Sequence, residues 1–85
     1  MQFEWDPAKS AANKAKHGIA FEEFEGWDGP FTIVPDRRFG YREERLIALG
    51  RIRGKPHALV FTMRGSNARM ISLRRAHEEE IRRHE

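Results

Sequence analysis

Arg64, Ser72 and Arg74 are brought to one side of a β-hairpin that reads from His57 to Arg75, HALVFTMRGSNARMISLRR, where two apolar runs flank a Gly-Ser-Asn turn. Side chains alternate along a strand, so Leu59, Phe61 and Met63 share one face while Ala58, Val60, Thr62 and Arg64 share the other. In the return strand Ile71 and Leu73 separate in the same way from Met70, Ser72 and Arg74. The bulky face is expected to be core and the smaller, wetter face a working surface. A one-residue slip would bury the arginines, so the register is expected to be firm. Arginine suits bidentate phosphate contact. The same side chains would also serve as solubilising cover snorkelling over a sheet.

His17 is the candidate for proton transfer. It ends a helix whose dipole favours the charged imidazole there, which suits either a plain C-terminal cation or an acid–base group. The segment Pro35 to Glu43 carries Arg37, Arg38 and Arg42 around Gly40-Tyr41, a basic loop able to grip an RNA backbone and stack one base, or simply a surface loop. Glu22, Glu23 and Glu25 lie close together but match no metal-ligand spacing. His77, Glu80, Ile81 and His84 share a helical face, which suits packing or hydrogen bonding better than a metal site. With no cysteine, disulfides, thiolate metal sites and cysteine nucleophiles are excluded.

The elements that must position these groups are legible in turn. Gln2 to Trp5 alternates as a short edge strand with Phe3 and Trp5 inward. Asp6-Pro7 starts a helix and His17-Gly18 ends it, giving Pro7 to His17. Its Ala8, Ala11, Ala12 and Ala15 stripe is expected against the sheet, with Lys9, Asn13, Lys16 and His17 on the opposite side. Ala20 to Trp27 reads as a second short helix through Phe21, Phe24 and Trp27. Asp28-Gly29-Pro30 breaks it and Phe31–Val34 begins the sheet. Glu44 to Ile52 is the next strand, with Ile47 and Leu49 opposite Leu46 and Ala48, and Gly54-Lys55-Pro56 turns into the hairpin. His77 to Glu85 reads as a C-terminal helix supported by Glu78/Arg82 and Glu79/Arg83 pairs. The expected fold is α+β: a single domain over residues 1–85, an antiparallel sheet of three or four central strands plus the N-terminal edge strand, two N-terminal helices and a C-terminal helix.

Eighty-five residues, 39% hydrophobic and 34% charged, suit one small globular domain near the size where stability is marginal. No membrane-length apolar run and no signal-peptide pattern is present, so a cytoplasmic protein is expected. The net charge of +3 conceals an asymmetry: residues 1–36 carry −4 and residues 37–85 carry +7, and twelve of sixteen basic residues are arginine. A basic sheet half suggests a polyanion, and the acidic half argues against indiscriminate DNA coating.

FEWDPAK at Phe3–Lys9, NKAKHGIAFEE at Asn13–Glu23, EERLIALG at Glu43–Gly50 and ARMISLRRA at Ala68–Ala76 together resemble the BrnT-type toxins of bacterial type II toxin–antitoxin systems. Matching positions are Lys9, Asn13, Lys16, His17, Gly18, Phe21, Glu22, Glu44, Arg45, Arg64, Arg69, Ser72, Arg74 and Arg75; Met63, Leu73 and His84 depart from the pattern. The resemblance implies a fold similar to the RelE-type ribonuclease toxins and RNA cleavage without a metal or other cofactor. It also implies neutralisation by a ribbon-helix-helix antitoxin similar to BrnA, in a heterotetramer able to bind operator DNA.

RNA cleavage without a metal uses the substrate's own 2′-hydroxyl, so the protein must bind phosphate, stabilise added negative charge and move protons. On this reading Arg64 and Arg74 form the phosphate clamp, His17 is general acid or base, and Lys16 is a second cation. Lys9, Asn13, Arg37, Arg38, Tyr41, Arg42, Arg69, Ser72 and Arg75 would bind RNA. Glu22, Glu44, Glu80 and His84 are secondary candidates. The alternatives are a non-catalytic nucleic-acid-binding module and an obligate structural partner of a regulatory protein.

Overall fold

The computed structural model describes residues 2–37 and 44–84. Strands β1 (Gln2–Glu4), β2 (Thr32–Pro35), β3 (Leu46–Ile52), β4 (Lys55–Arg64) and β5 (Asn67–Arg75) form one sheet in the order β1-β5-β4-β3-β2. Helix α1 spans Pro7–His17 and helix α2 spans Glu78–Arg82. Strands β2 to β5 are an antiparallel meander, but β1 runs parallel to β5, so the sheet is mixed rather than wholly antiparallel. The α1 segment between β1 and the meander carries the chain back across the sheet, which leaves β1 free to enter in the parallel sense.

Local chemistry fixes the ends of α1. The Asp6 carboxylate accepts from the Ala8 N–H at 2.8 Å, proline occupies the first turn, and Gly18 at φ 81° donates to the Lys14 carbonyl. Its packing reverses the expected faces. Ala8, Ala11, Ala12 and Ala15 are exposed, while Ser10 and Asn13 are buried at 1% and 7%. The reason is that the groups opposite α1 are unpaired backbone polar groups, which alanine cannot satisfy. Ser10 Oγ accepts from the Phe21 N–H at 2.9 Å and donates to the Glu22 carboxylate. The Asn13 carboxamide donates to the carbonyls of Ile19 and Leu73, both at 2.8 Å, and accepts from the Leu73 N–H at 3.2 Å.

The second N-terminal helix is only a single 3₁₀ turn, Phe21–Glu23. Phe21 plugs the core at 1% exposure, after which the chain extends so that Phe24, Trp27 and Phe31 line up along the sheet, centroids 5.1 and 5.6 Å apart. Trp27 and Phe31 lie against the backbone of Gly50 in β3, where a Cβ would come within 2.6 Å of the indole.

The two hairpins are tight. Arg53 and Gly54 both have positive φ, the signature of a type I′ turn, and Lys55 and Pro56 already belong to β4. Gly65-Ser66 closes the second hairpin, with Arg64 opposite Asn67. The β4–β5 register is interrupted: Val60 faces Ser72 and Phe61 faces Met70, leaving Ile71 as the extra residue of a bulge. The bulge resets parity, so Met70 and Leu73 both enter the core with Leu59, Phe61, Phe21, Ala48, Ile52 and Ala68. Burying each large member contributes about 1.5–3 kcal/mol. Met63, expected in that core, is 42% exposed near the turn. The opposite face is drier than its residues suggested, because Ala58, Val60 and Thr62 are all buried and Ile81 of α2 packs there with Leu49, Ala58 and Ala76. Helix α2 is shorter than read from the sequence, and Glu78 pairs with Arg51 of β3 at 2.7 and 2.8 Å.

Candidate active site at the helix–strand junction

β1 pairs with β5 only as far as Arg69, so the outer edge of β5 beyond that point is left to α1. Asn13 takes the place of a neighbouring strand by bonding both backbone groups of Leu73. This fixes the last turn of α1 against the end of β5 and sets Lys16 and His17 near Ser72, Arg74 and Arg75. Lys9, Asn13, Lys16, His17, Ile71 and Ser72 line one hollow of about 260 Å³. His17 also borders a second hollow of about 360 Å³, lined by Arg53, Lys55, His57 and Arg75. The imidazole therefore stands where two basic hollows meet.

Its protonation departs from what the helix dipole alone would give. Partial burial, then the charges of Lys16 and Arg74, lower the His17 pKa below its ordinary value of 6.5. The neutral ring that results near pH 7 can accept a proton.

Arg74 is held in place by α2. Its Nη1 and Nη2 donate to the two Glu80 oxygens at 3.3 and 3.2 Å, and Nη1 also donates to the Arg75 carbonyl at 3.1 Å. Glu80 accepts from the His77 N–H as well, and the Arg74 guanidinium holds its carboxyl below the ordinary carboxylate range. These bonds occupy the end of the guanidinium fork. The Nε–H and the second Nη2 hydrogen form its other edge, which is suited to two oxygens of one phosphate.

The remaining sequence-derived candidates scatter. Arg64 lies opposite Asn67 at the far end of the hairpin, six residues along β4 from Ala58, the partner of Arg74. At about 3.4 Å per residue that is roughly 20 Å, so Arg64 and Arg74 do not converge on one phosphate. Arg69 is paired with Glu4 at 2.8 Å. Glu22 is bonded to Ser10, and Glu44 is exposed with its carbonyl accepting from Thr62 Oγ1 at 2.7 Å. His84 borders a separate hollow with Asp28, Phe31 and Arg51, distant in the fold from His17. Arg37 is exposed at the end of the described segment, and Arg38, Tyr41 and Arg42 lie outside the described residues.

Sequence reasoning missed Arg53, Lys55 and His57 as neighbours of His17. Lys55 and His57 share strand parity and Arg75 pairs with His57 across the ladder, so the alternation held a signal. The signal was masked because His57 sits in an apolar run.

Among the described residues, no three His, Cys, Asp or Glu side chains gather as a metal site. No helix among them is long and apolar enough to cross a membrane.

A family model described as ribonuclease toxin, BrnT, of type II toxin–antitoxin systems matches residues 5–80. The chain belongs to the BrnT family. The match covers α1, all of β2 to β5 and Glu80, so every residue gathered around His17 lies within the BrnT region, whereas His84 lies outside it. Neither the comparison with curated proteins nor that with solved structures gave a match. BrnT membership makes this chain a ribonuclease toxin, with RNA as its substrate and an antitoxin as its partner.

Proposed function

We propose that this BrnT chain cuts RNA at the junction of α1 and β5, by attack of the substrate's 2′-hydroxyl on the adjacent phosphorus and without a metal. His17 takes the 2′ proton, the 2′-oxygen bonds to phosphorus, and the bond to the 5′-oxygen breaks. The products are a 2′,3′-cyclic phosphate and a 5′-hydroxyl whose proton comes from water. Arg74 offers its Nε–H and Nη2–H edge to the non-bridging oxygens, whose charge grows in the transition state, and Lys16 adds a second cation. Glu80 keeps Arg74 aimed by holding the other edge of the fork. Lys9, Asn13, Ser72 and Arg75 border the path of the backbone, while Arg64 and Arg69 bind RNA farther along the sheet.

The observation that carries this reading is the position of His17 where two basic hollows meet, one lined by Lys9 and Lys16 and the other by Arg53, Lys55 and Arg75, with burial and the charges of Lys16 and Arg74 lowering its pKa. A neutral imidazole next to fixed positive charge is what a base needs when the substrate brings the anion.

The antitoxin we propose is a BrnA-like ribbon-helix-helix protein acting in the cytoplasm, paired with the toxin as a heterotetramer that binds operator DNA. An acidic segment of it would neutralise Arg74 and Lys16 and exclude RNA at once. The test of the reaction is an end-labelled RNA oligonucleotide incubated in EDTA. A cyclic phosphate product, lost when only the scissile nucleotide is 2′-deoxy, is the expected result. Cleavage that needs an added divalent ion, or that tolerates the deoxy substitution, would overturn it.

A further inference from the structure

The geometry points to a second RNA-phosphate subsite in the hollow on the other side of His17, formed by Arg53, Lys55, His57 and Arg75. This rests on the RNA-cleaving reading of the α1–β5 junction and extends it to how far the substrate reaches.

Three cations come from one turn and two strands. Arg53 belongs to the β3–β4 turn, Lys55 begins β4, and Arg75 ends β5 opposite His57. All three are exposed, so their charges face solvent at the rim, while His57 forms the floor at 6% exposure. The His57 ring has a fixed orientation: Nδ1 lies 2.8 Å from the Lys55 carbonyl oxygen. A carbonyl only accepts, so Nδ1 carries its hydrogen and Nε2 is the ring atom left for another partner.

The one carboxylate lining the hollow, Glu23, is engaged by Lys14 Nζ at 2.8 Å and by the Ala20 N–H at 2.6 Å. Both bonds fall on Oε2, and Glu23 also interacts with Arg53, so the three cations outnumber the one carboxylate and leave the hollow net positive. Because His17 borders both hollows, a strand whose scissile phosphate lies near Arg74 would set a neighbouring phosphate here.

The Arg53–Gly54 turn supplies a clean variant. Arg53 has φ 52°, and asparagine followed by glycine is the favoured pair for a type I′ turn, so Arg53→Asn keeps the turn while removing the charge. Combined with Lys55→Gln it empties the rim of two cations. The control is Arg82→Gln with Arg83→Gln, two exposed residues at α2 that make the same change in net charge.

Binding is read by fluorescence anisotropy with a fully 2′-deoxy oligonucleotide, which reports affinity whether or not the protein cuts RNA. Phosphates are replaced one at a time by neutral methylphosphonates. Wild type and the α2 control are expected to lose about tenfold in affinity when one particular phosphate is neutralised, and the Arg53→Asn/Lys55→Gln variant to lose nothing at that position. Its salt dependence should also flatten by about 0.7 in the log–log slope, one single-strand phosphate's worth. If every phosphate costs the variant as much as wild type, or if the α2 control behaves like the variant, there is no subsite in this hollow. That outcome leaves the cleavage reaction standing, since the cyclic-phosphate assay decides the reaction independently.

Discussion

At the scale of single residues, His17 and Arg74 are tuned by different neighbours. His17 has its pKa lowered by partial burial and by Lys16 and Arg74, so its neutral form gains population as pH rises through a point below 6.5. A base that must be neutral gives a rate that climbs with pH and then levels. The log of the single-turnover rate is therefore expected to rise with unit slope to a plateau with its midpoint below 6.5, and His17→Gln is expected to lose that limb. A midpoint at or above 6.5 would mean that burial and the two cations do not lower the pKa, and a rate that falls with rising pH would mean that the ring works protonated. His17 sits at the helix end as expected, but its proton affinity shifts opposite to what the dipole favours, because burial lowers it first and the charges of Lys16 and then Arg74 add to that. Lys14 makes a useful contrast on the same helix. Its exposed pair with Glu23 is screened by solvent, and Lys14→Ala is expected to leave the cleavage rate unchanged.

At the scale of elements, capping and turn chemistry were legible and packing partners were not. Asp6, Pro7 and Gly18 announce both ends of α1, and the alternation of Leu46 to Leu49 announces both faces of β3, because each depends on residues adjacent in sequence. The bulge at Ile71, the parallel pairing of β1 and the burial of Ser10 and Asn13 depend on residues far away in the chain. Asn13 shows the cost of this blindness most clearly, since a polar residue read as solvated joins α1 to β5. Asn13→Leu keeps the volume and strands the backbone groups of Leu73, so a loss of about 2–4 kcal/mol is expected from denaturant midpoints, with a slower cleavage rate. A variant as stable as wild type would show that water replaces the carboxamide. Gly50→Ala is expected to cost about 1–3 kcal/mol in the same assay, because its Cβ would push Trp27 and Phe31 off β3.

At the scale of the whole molecule, the hairpin separates its arginines. The sequence put Arg64 and Arg74 on one face and could not show that they sit at opposite ends of it, roughly 20 Å apart at about 3.4 Å per residue. The account therefore predicts one place where RNA is cut, beside α1, and the most direct measurement is single-turnover cleavage of an RNA oligonucleotide by Arg74→Lys and by Arg64→Lys, with circular dichroism confirming that both fold. Lysine keeps the charge but loses the planar fork that holds Glu80 on one edge and phosphate on the other. Arg74→Lys is expected to slow the chemical step by about 2–4 kcal/mol, or roughly 30- to 1,000-fold, while Arg64→Lys stays within about threefold of wild type. A wild-type rate for Arg74→Lys together with a collapse for Arg64→Lys would place the catalytic centre at the other end of the hairpin and contradict the account.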